Sequence, residues 1–183
     1  MENVALFLAD GFEEIEALTP VDVLRRAGIQ VTTISISNTV EVTGAHHIIV
    51  KADKVINEID FNEFSCIVLP GGMPGALNLK KHQKLNKVIT EFAQQGKLIG
   101  AICAAPIVPG SLGLAKNKKV TCYPGFEDQL TDAQYTGNST ERDGNLLTGK
   151  AAGASMSFSL QLVEILAGKE KADEIAQKMF VQL

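Results

Sequence analysis

The sequence predicts an α/β fold, a doubly wound sandwich with a mostly parallel central sheet. Three observations carry that expectation. Short, continuous apolar runs alternate with amphipathic helical stretches along the chain. Gly or Pro punctuates most of the junctions between them. Asp10-Gly11, Pro70-Gly71-Gly72 and Cys103 all fall at the carboxyl ends of apolar runs, where doubly wound sheets build their sites, so they should converge in one crevice.

The elements follow in order. Val4 to Ala9 is continuous and apolar and stops at Asp10-Gly11, as a buried strand does. A helix is predicted from about Glu13 to Ala27, with Asp10 and Glu13 at capping-box spacing and Gly28 as the stop. Ile29 to Ile36 alternates as a second strand, and Val40-Glu41-Val42 with His47 to Val50 predicts a hairpin about Thr43-Gly44. Cys66 to Leu69 is a third core strand, broken by Pro70-Gly71-Gly72. His82 to Gln95 sets Leu85, Val88, Ile89 and Phe92 on one helical face and ends at Gly96. The strand Lys97 to Ile102 then leads into Cys103. The helix beyond it must be short, because Pro109-Gly110 interrupts it, a break for which the sequence offers no functional reason. Two more strands, near Lys119 to Cys122 and Asn145 to Thr148, precede helices at about Ala154 to Leu166 and Lys169 to Val181.

With 183 residues and 45% apolar content the chain can bury a full core, and residues 1–183 are expected to form a single domain. The formal charge is −4 and the basic residues are scattered, so neither nucleic acid nor an anionic membrane is an expected partner. No run reaches transmembrane length, and the apolar opening is too short and lacks the basic start of a signal segment. Cys66, Cys103 and Cys122 are widely separated with no C-x-x-C pair, which fits a reducing cytoplasm better than a disulfide framework.

Most cysteines are small buried apolar residues, but Cys103 sits in Leu98-Ile99-Gly100-Ala101-Ile102-Cys103-Ala104-Ala105-Pro106, a strand-to-helix elbow. Free N–H groups of the turn that follows should point at the sulfur and lower its pKa into the activated range. Glu13 and Glu14 complement the macrodipole of the first helix. Glu16 differs: on the helical wheel it lies between Val23 and Ala27 and beside Pro20, inside the apolar arc. A carboxyl there must find a partner or keep its proton, and the Cys103 sulfur is the candidate partner. Pro70-Gly71-Gly72 reads either as a tight turn or as a place where a backbone N–H joins that of Ala104 in an oxyanion hole. His46, His47 and His82 are the only histidines and none follows Cys103, so the general base of thiol peptidases and amidotransferases is missing. No ligand spacing suggests a metal site, and no cofactor is expected.

The chain resembles the ThiJ/PfpI superfamily, and within it the branch of the Parkinsonism-associated deglycase and its bacterial thiazole-annotated relatives. The likeness runs nearly end to end. It rests on Leu8-Ala9-Asp10-Gly11-Phe12-Glu13-Glu14-Ile15-Glu16, Pro20-Val21-Asp22-Val23-Leu24-Arg25-Arg26-Ala27-Gly28, Val68-Leu69-Pro70-Gly71-Gly72, Ala101-Ile102-Cys103-Ala104-Ala105-Pro106 and Leu166-Ala167-Gly168-Lys169-Glu170. The resemblance implies a flavodoxin-like sandwich, a homodimer, a reactive Cys103 with Glu16 as its carboxyl partner, and Gly72 and Ala104 as backbone donors. Gly71 and Tyr123 are expected to line the site. The activities it implies are cofactor-free conversion of 2-oxoaldehydes to hydroxy acids and reversal of early glycation, on a small carbonyl substrate or a glycated protein. It also implies a rival role, a redox sensor or holdase that uses oxidisable Cys103 without turnover. The chain departs from the pattern in two places. Tyr123 stands where several relatives carry a histidine near the thiol, and Ala104 stands where the peptidase-like branch has a histidine, which argues against proteolysis.

Overall fold

The computed structural model describes residues 2–182. The chain opens with β1 (Asn3–Leu8), α1 (Glu14–Arg26) and β2 (Gln30–Ser35), then a hairpin of β3 (Glu41–Thr43) and β4 (Ile49–Lys51). Next come β5 (Lys54–Val55), β6 (Cys66–Leu69), α2 (Gly75–Lys81), α3 (Gln83–Gln94), β7 (Leu98–Ile102) and α4 (Ile107–Ser111). After β8 (Lys119–Val120) and β9 (Gln134–Tyr135), the chain closes with β10 (Thr140–Asp143), β11 (Leu146–Gly149), α5 (Ser155–Ala167) and α6 (Lys169–Lys178). The central sheet runs β10-β11-β7-β6-β1-β2-β5 and is parallel except for β10. Strand order reverses between β1 and β6, so the loops after β1, β6 and β7 open side by side.

Layering explains the continuous apolar runs. Val4, Leu6 and Leu8 of β1 pack with α1 and α5 on one face, while Ala5 and Phe7 pack with α3 on the other. A strand covered on both faces has no polar alternation left to show. No helix among the described residues is long and apolar enough to cross a membrane.

The structure corrects several local expectations. Asp10 and Glu13 do not form a capping box. Glu13 is itself the N-cap of α1 and accepts the Glu16 N–H at 2.7 Å, whereas the Asp10 carboxylate accepts the Thr43 N–H of the hairpin at 2.9 Å. β8 ends at Val120 and pairs only with β9, because the Thr121 N–H is taken by the Thr148 side chain rather than by a strand ladder. Polar β10 and the short α2 were not legible as elements, and α6 ends at Lys178, short of Val181. The Pro109-Gly110 break has a packing reason. A side chain at Gly110 would meet Leu130 Cδ2 at 2.7 Å, so the glycine lets the 127–130 segment close over α4.

Candidate active site

The elbow brings Cys103 to the carboxyl end of β7 with φ +65°, a left-handed conformation costly for any residue with a Cβ. Two backbone bonds hold it. Its N–H donates to the Gly149 carbonyl at 2.8 Å, and its carbonyl accepts the Tyr123 N–H at 2.8 Å. Cys103 is half-buried, whereas Cys66 and Cys122 are buried and all three are free. Burial pushes the Cys122 thiol up to about 11 and the Cys66 thiol higher still.

Glu16 lies beneath the sulfur, 1% exposed, as its place on the apolar arc predicts. Its Oε2 accepts the Gly71 N–H at 2.9 Å, the carboxyl lies beside the Cys103 side chain across Gly71, and Oε1 has no hydrogen-bond partner. Burial raises this carboxyl to about 7, helped by the charge of Glu13 and opposed by the bonds from Cys103 and Gly71. Gly71 is where the loop must lack a side chain. A Cβ there would sit 2.6 Å from Glu16 Oε2 and 2.8 Å from Cys103 Cβ.

Burial, then the negative charge and hydrogen bond of Glu16, push the Cys103 thiol up to about 12, against the N–H groups of Ala104 and Gly72 that favour the thiolate. This reverses the sequence-based expectation of a lowered thiol for the state in which Glu16 is ionised. The two groups titrate as a pair. When Glu16 keeps its proton it repels no charge and donates to sulfur instead of accepting from it, so two of the three influences that raise the thiol vanish together. A protonated carboxyl and the Ala104 and Gly72 N–H groups then converge on one sulfur, and all of them favour the anion.

The remaining residues sort by geometry. Tyr123 reaches the elbow through its backbone N–H, and its ring is 48% exposed and packs edge-on against Phe126 at 6.4 Å. No histidine is hydrogen-bonded to Cys103. His82 caps α3, accepting the Leu85 N–H at 3.1 Å. His46 binds Glu14 twice, by its N–H to Oε1 and by Nδ1 to Oε2, each at 2.7 Å. Burial works against the Glu14 charge, yet the His46 bonds hold the carboxyl below its ordinary range and Glu14 in turn raises His46. The sequence places Glu14 at the helix start as a macrodipole complement but does not show this pair, since nothing in the spacing shows that the hairpin folds over the helix start and buries it. Glu13, Glu14 and His46 bring ligand atoms within 4.8 Å of one another at the start of α1, and His46 already takes both oxygens of Glu14 there. Thr121, Thr148 and Gly149 were likewise missed, because their role depends on contacts far apart in sequence.

Residues 2–165 match the DJ-1/PfpI family. Protein DJ-1 homolog B of Arabidopsis thaliana is 41% identical over 177 residues, covering 96% of this chain, which spans only 40% of that relative's length. The glutathione-independent glyoxalase DJR-1.2 of Caenorhabditis elegans is 31% identical over 169 residues, 91% of this chain and 89% of that protein. Among solved structures, oxidised DJ-1 of Toxoplasma gondii superposes with a TM-score of 0.95 at 34% identity, covering 100% of both chains. Fold, elbow and sequence agree: the chain belongs to the DJ-1/PfpI family.

Proposed function

We propose that the protein is a cofactor-independent cysteine enzyme of the glyoxalase or deglycase type, acting on 2-oxoaldehydes such as methylglyoxal or on the early adducts they form on proteins. The observation that carries this reading is the buried Glu16 carboxyl set beside Cys103 across Gly71, which burial raises to about 7. An acid–base group is most effective when its pKa lies near the working pH. The Cys103 sulfur adds to the aldehyde carbon while its proton passes to the carbonyl oxygen, forming a hemithioacetal. Glu16 as carboxylate then takes the hydrogen of that carbon as a proton and returns it to the neighbouring carbon through an enediol, leaving a 2-hydroxy thioester. Water cleaves the thioester to the hydroxy acid and regenerates the thiol, so one aldehyde and one water give one acid. The N–H groups of Gly72 and Ala104 stabilise the developing oxyanion. The worm relative described as a glutathione-independent glyoxalase supports the same chemistry.

A second reading, a redox sensor or holdase without turnover, is favoured by one observation: Cys103 is the one cysteine of the three that is not buried. Three free thiols suit a reducing compartment such as the cytoplasm. A homodimer is part of the proposal, supported by the exposed apolar side chains Ile15, Leu18, Ile48 and Ile49 on adjoining elements. Chelator-treated protein without glutathione is expected to form lactate from methylglyoxal, and the Cys103→Ser variant none. Lack of lactate from protein whose Cys103 still alkylates would overturn the enzyme in favour of the sensor.

A further inference from the structure

We infer that strand β11 grips the nucleophile from both sides, with Thr148 as the positioning residue of the second grip. The first grip is direct, from the Cys103 N–H to the carbonyl of Gly149 at the end of β11. The second passes through the segment after β8. Thr148 Oγ1, 1% exposed, accepts the Thr121 N–H at 2.9 Å, and Thr121 Oγ1 donates to the Asn138 carbonyl at 2.7 Å. Two residues on, the Tyr123 N–H donates to the Cys103 carbonyl at 2.8 Å. The peptide units before and after Cys103 are therefore both fixed, which is what a strained φ of +65° needs in order to persist. The strain has a purpose, since it aims the Ala104 N–H at the sulfur. Thr148 Oγ1 also donates to the Glu141 carbonyl of β10 at 3.3 Å, but Thr148 touches neither sulfur nor substrate and acts on the elbow through this chain of bonds.

The inference rests on Cys103 being the reactive thiol and not on aldehyde turnover, so its test reads alkylation. Thr148→Val keeps shape and strand propensity but removes the acceptor of a buried N–H. With the 121–123 segment loosened, the elbow relaxes, the Ala104 N–H turns away and the Cys103 thiol rises. The expected result is an upward shift of about half a pH unit in the profile of Cys103 alkylation, roughly a three-fold loss of rate below the inflection, restored by Thr148→Ser. Buried Cys66 and Cys122 report on the fold by staying unreactive. A folded Thr148→Val protein with the wild-type profile overturns the inference, as does a Ser variant that fails to restore it. Should Thr148→Val expose Cys66 and Cys122, the milder Thr121→Val, which loses only the Asn138 bond, decides: a smaller shift of the same sign supports the grip, and no shift overturns it. Failure of the functional proposal looks different, since a wild-type Cys103 that alkylates normally without forming lactate leaves the grip intact.

Discussion

At the scale of single residues, Glu16 was legible because it broke a pattern: a carboxyl on an apolar helical stripe has no reason to be there unless something faces it. The state of the sulfur was not legible. An elbow and free N–H groups can be read from local sequence, but the burial that opposes them depends on which segments cover the thiol. The raised carboxyl carries a stability consequence. Between its ordinary 4.5 and the folded value of about 7, the native protein holds a proton that the unfolded chain has released. Stability therefore falls as pH rises through that window; the contribution is fully present below 4.5 and lost above 7. Integrated, the difference is on the order of 3 kcal/mol. Glu16→Gln cannot titrate, so its melting temperature relative to wild type should climb steadily between pH 4.5 and 7. Parallel curves for the two proteins in differential scanning calorimetry would mean that Glu16 is ionised throughout.

At the scale of elements, the sequence located the helices and parallel strands that carry strong apolar periodicity and lost those that do not. Strand β10 is polar, and α2 is one short stretch between two turns; both are held by what they pack on. The capping of α1 was misread for a related reason: Asp10 has capping chemistry, but the hairpin offers its side chain a better donor. That hairpin is tied to the start of α1 by Gly11 N–H to Thr43, Ala45 N–H to Phe12 and the double bond of His46 to Glu14. Glu14 is the charged anchor that takes two of these bonds, and the Asp10 carboxylate takes the Thr43 N–H beside it. Glu14→Ala removes a buried carboxylate acceptor worth about 1.5–3 kcal/mol to its partners. Amide hydrogen exchange over residues 43–48 should speed up roughly ten-fold or more, with β7 unaffected, because local openings report local ties. Uniform acceleration across the sheet would instead make Glu14 a determinant of global stability.

At the scale of the whole molecule, the doubly wound sheet was readable from alternation alone, and the crevice followed from where strands end. The outer surface was not. Placing Glu16 inward fixes the helix's rotation but does not say whether Ile15 and Leu18 meet another element, and they do not: they stand 55% and 39% exposed. Ile48 and Ile49 of the hairpin are 53% and 65% exposed, and the Glu14 and Phe12 ties set them on the element next to α1. A cluster of this kind marks an association surface, and the proposed homodimer gives it an occupant. Ile49, the most exposed of the four, contributes least to the isolated fold, so Ile49→Lys separates association from folding. Losing a buried isoleucine at an interface costs about 2 kcal/mol, roughly thirty-fold in the dissociation constant. Sedimentation of a dilution series should therefore show a wild-type dimer and an Ile49→Lys protein shifted to monomer at concentrations about thirty times higher, with an unchanged melting transition for the monomeric species. A wild-type protein that stays monomeric at high concentration, or a variant that dimerises as tightly as wild type, would assign these side chains to some other partner and remove the second copy from the proposal.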